Sequence, residues 1–355
     1  MKLLRKENIM PRKTYRKVIV TDEVLAKVNK ENIRIVERYL RNFDTKRSDK
    51  SVIVKRSDYN IFLCWNYLYN DNKPIPEIKK YELMDYFDFG VNELGWGTSR
   101  FNSMHSSLNT LFNFIENFMD EDYVGFKNNM SKIEKPVKQV AREKTVLTEE
   151  QVDSLIEHIK DLGDQQQLVY LLLCIGSGAR ISETLRFTTD IIDENNLAFG
   201  GHFLKTTKMI KTKGFGKKGE PKYKYIYKDI FLDEYKKWLI EREKILEKYG
   251  KKHNSIFIKS NGDPATIDKV NYWAKKWGQY LSNDTKTNPK HEEVPTYAHM
   301  LRHYFVSHLA RNGIPQELII ALQGWATGDA MMRIYDDNDQ DQKQYRDIDK
   351  LEGVF

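Results

Sequence analysis

Cysteine is nearly absent from this 355-residue chain. The two that occur, Cys64 in "IFLCWNYL" and Cys174 in "LVYLLLCIG", sit inside apolar runs, where a thiol serves as a small buried hydrophobe. A disulfide framework and a cysteine-built zinc cluster are set aside on that count. Long apolar runs are missing too. The run around Cys174 covers only residues 168–176, well short of the roughly 18 residues that a membrane span requires. The opening "MKLLRKENIMPRK" has no apolar stretch of signal-peptide length. These absences predict a soluble protein of a reducing, cytoplasmic compartment with no membrane partner. There is no internal repeat, and no histidine pair stands in an H-E-x-x-H setting, so neither a zinc site of that type nor any other cofactor is expected.

Acid is outnumbered. Lys and Arg total 58 against 51 Asp and Glu, a net charge of +7 with a pI near 9.0. A basic balance favours a polyanionic partner such as nucleic acid. The length exceeds what one ordinary core uses, so two domains are expected.

Residues 1–20 are rich in Lys and Arg without periodicity, and predict a basic arm. From 21 to 120, "NIRIVERYLRNF", "DYNIFLCWNYLY", "IKKYELMDYFDF" and "SRFNSMHSSLNTLFNFIENFM" repeat apolar residues at three-to-four spacing. Turn formers in "NDNKPIP" and "ELGWGTS" divide them, so this is a helical domain of about four helices. Residues 121–144 lose the period and gain charge, as a basic connector would. Thr148 and Gln151 have capping-box spacing and open a second domain over 145–340. There "QQLVYLLLCIG" reads as a buried helix, followed by the turn "GSGAR" and a helix "ISETLRF". "KTTKMIKTK" and "KYKYIYK" read as strands of a hairpin joined by "GFGKKGEP". Helices return at "LDEYKKWLIEREKILEKY", "ATIDKVNYWAKKWGQYL" and from Tyr297 onward. The fold class expected is mainly α with a small antiparallel sheet (α+β), ending in a tail over 341–355.

Three places hold residues suited to chemistry. In "HMLRHYFVSHLARNG", His299, Arg302 and His303 share a helix face by their spacing, with Phe305, Val306 and Leu309 opposite. Pro315 suits the first turn of the next helix, which Gly324 closes, and Trp325 and Tyr335 follow. In "GARISE", Arg180 offers a planar fork that matches two phosphate oxygens, with pairing to an acid as its structural alternative, and Glu183 three residues on is placed to orient nearby groups. Between Lys205 and Lys228 there are nine lysines against the single acid Glu220. Lysines defending an edge strand would account for some of them, but so dense a run of one sign suits a phosphate backbone better.

Taken in order, "GARISE", the hairpin lysines, "HMLRH", "LQGW" and the final "IY" resemble the tyrosine recombinase, or phage integrase, family. The helical segment before them looks like that family's core-binding domain. The resemblance implies that Arg180, His299 and Arg302 are catalytic, that Tyr335 is the nucleophile, and that Trp325 stands where most members have a second histidine. It implies a catalytic lysine at the end of a strand before the hairpin turn. Lys213 in "IKTKG" is the first choice, with Lys211 and then Lys208 behind it, and Tyr345 lies too far along to replace Tyr335. It also implies strand cleavage and rejoining through a 3′-phosphotyrosine without metal or ATP, at a specific core site in double-stranded DNA. A dimer per site, a tetramer in synapsis and room for an accessory DNA-bending protein belong to the same implication, as does a phage or mobile-element role. Lys269, Lys275 and Lys276 would add to the grip on DNA, and residues 346–355 would dock on a neighbouring protomer. The rival expectations are DNA relaxation of the type IB topoisomerase kind and a DNA-binding relative without catalysis.

Overall fold

Thr21 lies in extended backbone and its hydroxyl accepts the amide of Val24, which starts the first helix, α1 (Asp22–Leu25). Asn29 caps α2 (Lys30–Asp44) in the same way, through Glu31 N–H. α3 (Asp49–Tyr69), α4 (Lys80–Asn92) and α5 (Thr98–Phe118) follow. The computed structural model describes residues 17–45, 49–137, 146–212 and 220–325, which fall into two compact units, one up to 137 and the other from 146.

The first unit closes around the apolar stripes of these helices. Ile35, Val36, Tyr39 and Leu40 of α2 are buried against α3 and α5 residues such as Phe62, Leu108, Leu111 and Ile115. Rings interlock edge-on, Phe62 lying 5.0 Å from Tyr86 and Tyr86 5.5 Å from Trp96. Trp96 fits because residue 90 is glycine: a Cβ there would fall 2.2 Å from the indole. Two buried asparagines, Asn32 and Asn66, donate to the carbonyl of Lys73 at 2.8 and 2.7 Å and so fix the "NDNKPIP" turn. Neither edge of this unit lies where the sequence put it. Ile19, in the expected arm, already packs into the core, as do Tyr123, Phe126, Met130 and Ile133 of the expected connector. Buried His105 ties the latter down through the carbonyls of Met130 and Ile133.

The second unit opens with α6 (Glu149–Asp161), whose capping box pairs Thr148 and Gln151 both ways. α7 (Gln165–Ser177) is buried almost throughout and ends at left-handed Gly178. The helix expected at "ISETLRF" is only one turn, α8 (Ile181–Thr184). Five short strands come next, β1 (Leu197–Ala198), β2 (Phe203–Lys205), β3 (Ile210–Thr212), β4 (Glu220–Lys222) and β5 (Tyr225–Tyr227). They form an antiparallel sheet in the order β1-β2-β5 and a separate ribbon β3-β4, with Leu204 opposite Ile226 and Lys211 opposite Pro221. Each expected strand of the hairpin is thus broken in two. At the break, Thr206 N–H donates to Lys224 O at 2.9 Å and Lys224 N–H donates to Thr206 Oγ1 at 3.1 Å.

α9 (Lys228–Tyr249), α10 (Ile267–Asn283), α11 (Met300–Arg311) and α12 (Gln316–Gln323) complete the unit. Pro315 precedes α12 as its N-cap rather than sitting in the first turn, and Gly324 closes it at φ +64°. Among the described residues no helix is long and apolar enough to cross a membrane.

Candidate active site

α7 ends on a residue without a side chain, and that fact assembles much of what surrounds it. Gly178 has φ +56°, and a Cβ there would lie 2.3 Å from Gln323 Nε2 and 2.5 Å from the Phe305 ring. The turn "GSGAR" therefore admits both α11 and α12 against the end of α7. Gln323 donates to Ser177 O at 3.1 Å, and Arg302 Nη1 donates to Gly178 O at 2.6 Å. The guanidinium meets the carbonyl end of α7, where the helix dipole favours a cation.

The α11 face that carries Arg302 and His303 is not a solvated one. Residues 300–307 of α11 are all buried, and Arg302 is only 1% exposed. His299 is the N-cap residue of α11, and its carbonyl accepts the amide of Arg302 at 3.2 Å. Burial pushes the imidazole pKa down, and the charges of Arg302 and Arg180 push it further, against a weaker pull from Glu183. His299 therefore favours its neutral form, which can accept a proton. The His303 ring stands edge-on to it at 5.2 Å. Trp325 follows the end of α12 with its ring 5.4 Å from the Arg302 guanidinium carbon.

Arg180 is the N-cap of α8. Its backbone N–H donates to Glu183 Oε2 at 3.2 Å and its Nη1 to Oε1 at 2.9 Å, a box that closes this single helical turn. A quarter of the Arg180 side chain remains exposed, while Glu183 is wholly buried. Lys224 Nζ reaches the same carboxylate at 2.7 Å and is itself almost fully enclosed. Burial works to raise the Glu183 pKa, but the charges and hydrogen bonds of Lys224 and then Arg180 outweigh it and hold the group at about 2. The Lys224 pKa is lowered as well, which for an ammonium group disfavours the charged form. Burial lowers it, Glu183 pulls it back, and Arg302 and Arg180 lower it again. Lys224 and Arg180 thus share a single carboxylate, and Arg302 lies within electrostatic reach of Lys224.

The structure accordingly brings together Arg180, Glu183, His299, Arg302 and Trp325 of the residues expected from sequence. Lys213, Tyr335 and Tyr345, and the tail 346–355, lie outside the described residues. Lys211 sits on β3, exposed, with its carbonyl accepting from Arg186 at 2.6 Å. Lys208 pairs with Asp190 at 2.8 Å. Lys269 is directed at the carbonyl of Ile258, at 2.7 Å, which is a structural contact; Lys275 and Lys276 are exposed. Among the described residues no group of His, Cys, Asp and Glu could hold a metal ion.

Lys224 is the residue that sequence reasoning missed. In the sequence it counts among the hairpin lysines, a run assigned as a whole to a phosphate backbone. The signal was the two-residue alternation of "YKYIY", in which Lys224 shares a face with fully buried Ile226 while the tyrosines take the other.

Residues 145–342 match the profile of the Phage integrase family. A tyrosine recombinase XerC of Listeria monocytogenes serotype 4b is 24% identical over 231 residues, 62% of this chain and 66% of that protein. The chain therefore spans a little under two thirds of the length of this curated relative. Among solved structures, the XerH site-specific recombinase bound to difH substrate superposes with a TM-score of 0.61 at 18% identity, covering 80% of this chain and 76% of that one. The Tn1549 transposon integrase in complex with circular intermediate DNA gives 0.63 at 18% identity, over 86% and 94%. These likenesses show that the fold is shared.

Proposed function

This chain belongs to the phage integrase family, and on that premise we propose that it is a site-specific DNA recombinase serving a phage or mobile element. It cuts and rejoins duplex DNA through a 3′-phosphotyrosine. Arg180 and Arg302 hold the non-bridging oxygens of the scissile phosphate and stabilise the charge that builds on them in the transition state. Tyr335 attacks phosphorus. A phenol, with a pKa near 10, is a poor nucleophile until its proton is drawn off, and neutral His299 is the acceptor. Trp325 braces a phosphate oxygen through its indole N–H, which donates but cannot accept a proton. Lys213 protonates the leaving 5′-oxygen, with Lys211 as the alternative donor. The phosphotyrosyl link conserves the energy of the broken bond, so a second 5′-hydroxyl can reverse the step without ATP, and the roles above leave none for a metal. On DNA the protein would act as a dimer at each core site and as a tetramer in synapsis, in the cytoplasm at the nucleoid.

The observation that carries this reading is the meeting of Arg180 from the turn after α7 and Arg302 from α11 around Glu183 and Gly178, with a neutral-leaning His299 at hand. Two guanidinium groups gathered at one place make a site that attracts an anion such as a backbone phosphate. The test is a nicked suicide duplex taken from the DNA flanking the gene. A covalent protein–DNA adduct should form in EDTA and without ATP, and should vanish in Tyr335→Phe. Persistence of the adduct in that variant would overturn the nucleophile, and plasmid relaxation without two-site recombination would overturn the recombinase reading in favour of a topoisomerase.

A further inference from the structure

Lys224 has no part in the chemistry just described, yet it is among the most enclosed charges in the protein. Its residue is 3% exposed, and its backbone is bolted to Thr206 in both directions. Its ammonium group is spent on Glu183 Oε2, at 2.7 Å. Arg180 holds the other oxygen, Oε1, through one nitrogen, at 2.9 Å. An arginine and a carboxylate left to themselves favour a two-pronged grip, both Nη groups on both oxygens. Arg180 does not make that grip here, because the second oxygen is already taken by Lys224 and by the Arg180 backbone N–H.

We propose that Lys224 is a positioning residue: by occupying Glu183 Oε2 it restricts Glu183 to a one-pronged hold on Arg180, leaving the rest of that guanidinium turned outward to receive a phosphate. This rests on the role given above to Arg180 as a phosphate ligand. The partial exposure of the Arg180 side chain beside a wholly buried Glu183 fits it. So does the electrostatics, since Lys224 offsets the negative charge of Glu183 and leaves the pull of Arg180 and Arg302 undiminished for the substrate. The cost of burying the ammonium, visible in its lowered pKa, is the reason a merely structural position would sooner hold an apolar residue, as Ile226 does on the same face.

The test compares single-turnover cleavage by Lys224→Met on three suicide substrates that differ only at the scissile phosphate. On the ordinary phosphodiester the variant should cleave about 10- to 100-fold more slowly than wild type, the scale on which supporting contacts act. On a methylphosphonate, where one charged oxygen is replaced and less guanidinium is needed, the defect should shrink to within a few-fold. On a 5′-bridging phosphorothiolate, whose sulfur leaves without a proton, the defect should stay. Rescue by the phosphorothiolate would make Lys224 a proton donor and overturn the proposal, as would a variant with wild-type rates on all three. The double variant Lys224→Met/Glu183→Gln, in which the competing charge is gone, should cleave faster than Lys224→Met alone; a slower double variant would also overturn it. Arg180→Ala run alongside separates the two levels. If Arg180→Ala cleaves normally, the assignment of the phosphate site itself has failed. If it is dead while Lys224→Met is normal, only the positioning role has failed.

Discussion

Each unit of the protein has a carboxylate almost wholly withdrawn from solvent, Asp58 in the first and Glu183 in the second, and these two are treated differently. In the first unit Asp58, 1% exposed, pairs with Arg100 at 2.7 Å and accepts the Ser107 hydroxyl, which in turn takes a hydrogen bond from Lys55 at 3.0 Å. One ion pair is backed by hydroxyls, and Tyr59 closes the network on Ser107 O at 2.9 Å. In the second unit Glu183 faces Arg180 and Lys224 directly, and Arg302 lies within electrostatic reach of Lys224. A balanced buried pair loses stability when either partner goes. Where a carboxylate is held directly by two cations, removing the more exposed one leaves it still paired, so less stability is lost. The contrast separates a network that holds a fold together from one held ready for an anion.

The sharpest way to break that contrast is Arg180→Met. It leaves Glu183 and Lys224 as a matched pair, so thermal unfolding should move by less than about 1 kcal/mol. Single-turnover cleavage should nevertheless fall by about a thousandfold, the upper range for losing one charged donor to a transition state. Asp58→Ala should do the reverse. It strands Arg100 and should destabilise the protein by about 3 kcal/mol in a denaturant titration. The folded fraction should cleave at the wild-type rate. If Arg180→Met unfolded the chain, or Asp58→Ala impaired cleavage by folded molecules, the division between the two networks would not hold.

The sequence carried these two networks unequally. The helices of both units were legible because their apolar residues recur at helical spacing, and the Thr148–Gln151 cap was legible because both residues are local. The α+β class followed from them. The strands were legible only as two runs, since β1 is two residues long and the others three, too short for a period to register. The same break at Thr206 and Lys224 hid the inward face of the lysine-rich hairpin. Arg180 and Glu183 could be paired from their spacing because the contact lies within one turn. Arg302 and Gly178 are separated by more than a hundred residues, and nothing local says that α11 is covered on every side. Ile133 and Met130 read as connector for a similar reason: what holds them is the distant side chain of His105.

A smaller effect probes the joint on which the second network is built. Gly178→Ala must place a methyl group against Phe305 and Gln323 at a φ that L-residues seldom adopt. Strain and overpacking together should cost about 2 kcal/mol. Because Arg302 hangs on the carbonyl of the same residue, cleavage should fall along with the melting temperature. Gly90→Ala meets the Trp96 ring just as closely, but in the first unit, and should lower stability without changing the rate per folded molecule. Cleavage measured below the onset of unfolding distinguishes the two.

The mildest perturbation is pH, and it acts on the second network at two separate places. Glu183 titrates at about 2 in the fold against an ordinary value of 4.5. Between those values the unfolded chain binds the proton and the folded chain does not. Its contribution to stability is therefore complete above about pH 4.5 and is lost as the pH falls toward 2. Glu183→Gln should flatten the fall of melting temperature across that window. His299 also lies below its ordinary value of 6.5, so in the fold it remains neutral at pH 6.5 and protonates only at lower pH. If it takes the proton of the attacking phenol, the cleavage rate should hold nearly level from pH 8 down to 6.5 and decline below that. A rate already halved by pH 7 would mean that the group accepting the proton is not one shielded by burial and flanked by two arginines.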